Sequence, residues 1–202
     1  MFSGDNLRCV RGARVVFEGL SFALDGGAML VLTGPNGSGK SSLLRVMAGL
    51  TRPAAGKLSW DGALIRDDPE AHAKRLSFVG HLDAVKGALT ARENLAMWGG
   101  AHVDEALERF GLRPSLPARL LSAGQKRRLA LARLLAAPAK LWLLDEPTVS
   151  LDRDSVATLL AVIAEHRAGG GMCVVSTNVD LALPGAAFLE LPKFAPTLEH
   201  GV

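Results

Sequence analysis

Gly34-Pro35-Asn36-Gly37-Ser38-Gly39-Lys40-Ser41 constrains this chain more than any other stretch. Its glycines let successive backbone N–H groups turn inward around an anion with no Cβ in the way. A helix that begins there points the positive end of its dipole at the same anion. Lys40 supplies a mobile charge for the β- and γ-phosphates of a nucleotide, the Ser41 hydroxyl is placed to ligate Mg²⁺, and Ser42 completes the phosphate-binding set. The flanks agree with this reading. Met29 to Thr33 is an apolar run of strand length, and Leu43, Leu44, Met47 and Leu50 recur at helical spacing until Gly49 and Pro53 stop the helix. A glycine turn without a ligand would leave the pairing of Lys40 with Ser41 at the helix start unexplained.

Length suits one α/β domain over residues 1–202. Apolar residues make up 49% of the chain, yet no run approaches the ~20 needed to cross a bilayer, so an apolar surface that docks on a partner is expected. The N-terminus lacks the charged-then-apolar pattern of a secretory signal. Cys9 and Cys173 lie far apart in strand-like stretches, which predicts reduced thiols and a cytoplasmic setting. A net charge of +3 is too mild to imply nucleic acid. The basic run Lys126-Arg127-Arg128 falls on a predicted helix, where a solvated face or an anionic partner is expected.

Strand-like stretches at Val15–Phe17, Leu20–Leu24 and Leu58–Trp60 surround the loop, and Asp61-Gly62 marks a hairpin turn before Ala63-Leu64-Ile65, which together predict an antiparallel edge. Ser77-Phe78-Val79 is a further short strand. The capping boxes Thr90-Ala91-Arg92-Glu93 and Ser122-Ala123-Gly124-Gln125 announce two helix starts. Residues 84–137 therefore read as a helical insertion between strands of a parallel core. Asp152 caps a helix whose Val156, Leu159, Leu160 and Ile163 share a face, and Met172 to Thr177 is one more buried strand.

Leu141-Trp142-Leu143-Leu144-Asp145-Glu146 is an apolar strand ending in two carboxylates that can divide two jobs. Asp145 is placed to hold Mg²⁺ through water, and Glu146 to accept hydrogen bonds from an attacking water and polarise it. Leu121-Ser122-Ala123-Gly124-Gln125 precedes this strand and Ser150-Leu151-Asp152 follows it. With the phosphate loop and the Ser176-Thr177 strand end, these five motifs stand in the order found in the nucleotide-binding subunits of ABC transporters, which the chain resembles over essentially its whole length. The resemblance implies a P-loop NTPase fold of the ABC ATPase type, with a mixed sheet core, a helical subdomain and an antiparallel β edge. It also implies ATP with Mg²⁺, and a head-to-tail pairing with a second ATP-binding subunit. There Ser122, Gly124 and Gln125 close on the ATP held by the partner's phosphate loop. A helix start with Gly124 allowing close approach is an anion site lacking its own phosphate. Ala123 replaces the commoner glycine, which a helical backbone tolerates.

Three positions depart from the family pattern. His81 stands where many relatives carry a glutamine that senses Mg²⁺ and links to the transmembrane partner, and its imidazole is read as a polar substitute. Arg11 stands where an adenine-stacking aromatic is expected; its guanidinium plane can stack, and Phe17 is the alternative. Asn178 replaces the switch histidine, which removes a charge-assisted contact and implies slow turnover.

The combination of Gly80-His81, the stretch Leu121 to Arg133 and Leu141 to Pro147 resembles the haem-exporter ATP-binding subunits of bacterial cytochrome c maturation, and the chain is short for the superfamily. That resemblance implies a peripheral subunit on the cytoplasmic face of the inner membrane, coupled to an integral membrane permease and powering release of a haem-loaded chaperone. An ATP-binding subunit of another ABC exporter, or a weakly hydrolysing ATP-dependent binding module, fits the same motifs.

Overall fold

The computed structural model describes residues 1–137, 139–179, 181 and 183–196. Five parallel strands form the central sheet in the order β6-β7-β8-β3-β9, where β3 is Met29–Thr33, β6 Leu76–Val79, β7 Leu141–Asp145, β8 Met172–Ser176 and β9 Ala187–Glu190. A separate antiparallel sheet runs β2-β1-β4-β5, built from β1 (Phe2–Arg11), β2 (Arg14–Leu24), β4 (Ala55–Trp60) and β5 (Ala63–Leu64). The expected antiparallel edge is thus a sheet of its own, packed on the core.

The three inner strands β3, β7 and β8 are apolar except at their last positions, Thr33, Asp145 and Ser176, because both faces are covered. Met29, Val31, Trp142, Leu144, Cys173 and Val175 point into one core with the helical elements. Their alternates Leu30, Leu32, Leu141, Leu143, Met172 and Val174 point into a second core with α1 (Lys40–Met47) and the antiparallel sheet. Burial pushes the Cys173 thiol up to about 12 and raises that of Cys9, so both behave as small apolar residues.

After α2 (Pro69–Lys74), the helical insertion carries α3 (Ala91–Ala96), α4 (Val103–Arg109) and α5 (Ala123–Ala136) between β6 and β7. Both expected capping boxes form, with Thr90 paired to Glu93 and Ser122 to Gln125. Asp152 caps α6 (Arg153–Ala168), accepting from the Ser155 N–H at 2.8 Å. Two details depart from the periodicity. Leu50 lies beyond the end of α1 and is exposed. The buried face of α6 is Ser155, Leu159, Val162 and Ile163, one step round from the expected stripe.

The Asp61-Gly62 turn forms with both residues at positive φ, the backbone that suits a two-residue hairpin. Strand β1 runs through Gly4-Asp5-Asn6, residue types that favour turns. Asn6 instead sits at φ 47 beside a register shift, so a bulge absorbs the irregularity and pairing resumes at Leu7.

Candidate functional site

Strands β3, β7 and β8 are neighbours and end at one level, with Asp145 paired to Ser176 and Ser176 to Leu32. Their carboxyl ends therefore deliver the phosphate loop, the two carboxylates and Asn178 to one place, the position where parallel sheets bind ligands.

Helix α1 starts at Lys40 with Gly39 as its N-cap at φ 107, and no side chain caps it. Its first N–H groups thus lack intrahelical acceptors and remain available to an anion. The other helices that begin near the site take a side-chain cap from Ser122 or Asp152. Gly34 and Gly39 are required by space as well as by φ. A Cβ at Gly34 would lie 2.8 Å from Ser38 Oγ and from Pro192, and one at Gly39 would lie 2.6 Å from Val16. Ser38 Oγ is buried with no hydrogen-bond partner, as a hydroxyl aimed into a cradle for an oxyanion would be.

Lys40, 6% exposed, donates from Nζ to the Gly34 carbonyl at 2.7 Å and to Asn178 Oδ1 at 2.8 Å, and lies 4.0 Å from Glu146 Oε1. The Asn178 amide nitrogen donates to Glu146 Oε1 and to Asn36 Oδ1, both at 2.8 Å. Asn178 thus uses both ends of its amide, linking Lys40 to Glu146, a fuller role than that of a histidine substitute lacking charge. Ser41 Oγ donates to Asp145 Oδ1 at 3.1 Å, and Ser176 Oγ donates to the same oxygen at 2.6 Å. Hard hydroxyl and carboxylate oxygens of this kind fit Mg²⁺, which is commonly held by one or two protein groups together with substrate phosphates.

Glu146 sits at φ 47, a left-handed backbone unusual for a residue with a side chain. Its N–H donates to both the carbonyl and the hydroxyl of Ser176, at 3.1 and 3.0 Å. Ser176 was missed by sequence reasoning. Its signal was a hydroxyl at the last position of an otherwise apolar buried strand.

The remaining expected residues stand apart from this cluster. His81 follows β6 and is exposed, with no hydrogen bond among those of the described residues. Arg11 ends β1 opposite Arg14 at an exposed hairpin tip, although the same hairpin reaches the phosphate loop through Val16. Phe17 is fully buried in the core, which removes it as a stacking surface for a base. Ser122, at the start of α5, accepts from the Gln125 N–H at 3.2 Å, while Gln125 Oε1 accepts from the Ser122 N–H at 2.9 Å. A Cβ at Gly124 would sit 2.8 Å from the Ser150 carbonyl, so this glycine is required within the chain itself.

The basic run is not a solvated face. Arg127 is 4% exposed, and its guanidinium is enclosed by backbone carbonyls at the tip of β7. Arg128 donates to the Phe110 carbonyl at the end of α4.

Comparison with known proteins agrees with this geometry. Residues 17–149 match the family model described as ABC transporter. The chain is 59% identical to a cytochrome c biogenesis ATP-binding export protein of Rhodospirillum rubrum, over 97% of this chain and 88% of that one. It is 57% identical to the protein of the same name from Paramagnetospirillum magneticum, over 96% and 95% of the two chains. Among solved structures, it is similar to an ATP-binding cassette described as a dimer in a post-hydrolysis state bound to ADP and Pi. The TM-score is 0.77 and the identity 25%, covering 89% of this chain and 88% of that one.

Proposed function

This chain belongs to the ABC transporter family, among its cytochrome c biogenesis ATP-binding export proteins, and from that premise we propose that its ATPase activity drives the export of haem, or the release of a haem-loaded chaperone, through a membrane permease. The observation that carries the reading is the convergence of Lys40, Glu146 and Asn178 with Ser41, Asp145 and Ser176 at three adjacent strand ends.

Phosphoryl transfer to water needs positioning and charge stabilisation more than covalent chemistry from the protein. The open N-terminus of α1 and the loop residues Gly34 to Ser42 cradle the phosphates, and Lys40 places its charge on the β- and γ-phosphates. Ser41 and Asp145 are the residues that would hold Mg²⁺, which when bound would neutralise negative charge on the phosphates. Glu146 accepts hydrogen bonds from the attacking water, and Asn178 keeps its bond to Glu146 while the N–H now held by Asn36 turns to the γ-phosphate. Ser122 and Gly124 complete the site of a second copy in a head-to-tail dimer. Arg11 lies on the hairpin whose Val16 reaches the loop and serves the adenine, and His81 would serve as the polar contact for bound Mg²⁺ and for the permease.

No described helix is long and apolar enough to cross a membrane. Among the described residues nine large apolar side chains are exposed, and four of them, Leu82, Met97, Trp98 and Leu120, belong to the stretch from β6 to α5, which supports that stretch as the surface that docks on the permease. The chain then works as a peripheral subunit on the cytoplasmic face of the inner membrane. Co-purification of the untagged permease tests the assembly. Glu146→Gln tests the chemistry: ATP binding persists and ATP-bound dimer accumulates, while phosphate release falls by about 10²–10⁴-fold. Near-normal phosphate release from this variant would move the catalytic role elsewhere.

A further inference from the structure

Arg127 has five N–H donors, and five protein acceptors lie within hydrogen-bond distance of them. Nε donates to the Pro147 carbonyl at 3.2 Å, and Nη2 donates to the carbonyls of Asp145 and Glu146, both at 2.8 Å. Nη1 donates to the Gly80 carbonyl at 2.9 Å and to Asp83 Oδ1 at 3.2 Å. Three of these acceptors are consecutive residues at the acidic end of β7. The other two belong to the loop that leaves β6. That loop carries His81 and Leu82, the latter 82% exposed, and leads toward α3.

Resting on the reading that Glu146 positions the hydrolytic water, we propose that Arg127 is the positioning residue that couples the loop at Gly80–Asp83 to Glu146. Glu146 holds a left-handed backbone that is strained for a residue with a side chain and persists only where its surroundings enforce it. Its N–H is held by Ser176 and its carbonyl by Arg127, so the orientation of the peptide is set from two sides. The guanidinium is planar and rigid, so a shift of the loop carbonyl at Gly80 pulls on the same group that grips Asp145, Glu146 and Pro147. A lysine ammonium, with three donors and no fixed fork, cannot span the two segments. Asp83 pairs the charge from the more exposed side, and a buried guanidinium without that partner would be costly.

The test uses the assembled transporter complex with ATP. Arg127→Lys lowers kcat by about ten- to a hundredfold through misplacement of Glu146, while KM and nucleotide affinity stay close to wild type. In a Glu146→Gln background the same substitution adds no further loss of turnover. Asp83→Asn, which removes the charge on the loop side while the Gly80 carbonyl bond remains, lowers the stimulation conferred by the permease more than the basal rate of the isolated chain. This second variant serves if Arg127→Lys fails to fold. Unchanged kcat in folded Arg127→Lys overturns the proposal. So does a proportional loss of nucleotide affinity and melting temperature, which marks a purely structural arginine, and so does permease stimulation unchanged in Asp83→Asn. If Glu146→Gln alone hydrolyses ATP normally, the reading of Glu146 fails separately, whatever Arg127 does.

Discussion

The phosphate-loop cluster and the start of α5 are the two regions proposed to meet phosphate, and they are held in opposite ways. In the cluster the bonds join residues far apart in the chain: Lys40 to Asn178, Ser41 to Asp145, Asn36 to Asn178. The sheet brings them together, and α1 is left uncapped so that its N–H groups face the ligand. At the start of α5 the bonds are local, between Ser122 and Gln125, and the capping box closes the helix on itself. The first region is a receptor assembled within one chain. On the proposed reading, the second exchanges its own cap for a phosphate delivered by a second copy. That proposed exchange would give the chain a physical reason to work in pairs.

Loss of Glu146 tests the assembled half most severely, as given above. Next in size, Asn178→Ala removes an amide that bonds both Lys40 and Glu146, a loss of about 1–3 kcal/mol, or roughly one to two powers of ten in kcat. Asn178→His restores a charge-assisted donor and raises the rate of the complex. A fall instead would show that the acceptor facing Lys40 is what this site needs.

Gly124→Ala tests the local half. The added methyl meets the Ser150 carbonyl at 2.8 Å. An overpacking cost of about 1–3 kcal/mol lowers the melting temperature by several degrees. ATP binding to the isolated chain stays intact because the phosphate loop is untouched, while dimer-dependent hydrolysis falls. Weakened ATP binding in this variant would break the distinction between the two regions.

The smallest effect lies outside both. His72 accepts from Trp60 Nε1 and its other ring nitrogen faces the Met47 carbonyl, and His166 stacks on Trp142 at 3.7 Å. Burial holds both imidazoles below their ordinary value of 6.5. The unfolded chain therefore binds more protons below that pH, so stability is constant above it and falls as pH drops through it. Melting curves at pH 7.5 and 5.5 check the direction, and His166→Gln reduces the difference.

Much of the site was legible because its signals are local. The glycine spacing, Lys40 with Ser41, the carboxylates ending β7 and the cap pairs each lie within a few residues, where backbone geometry leaves few alternatives. Arg127 was misread because a basic triplet on a helix is indistinguishable in sequence from a solvated face. Phe17 was misassigned because an aromatic in a strand carries no mark of which side it faces.

What the sequence determined by itself is the phosphate cradle, the polarity of strands and helices around it, and the helix starts, all of which follow from short-range sterics and hydrogen bonding. Tertiary structure decided which carbonyls Arg127 grips, that Ser176 anchors both Asp145 and Glu146, and that Gly124 yields to Ser150. Those pairings join segments that only the stacking of β3, β7 and β8 and the packing of α5 beneath them bring within bonding distance.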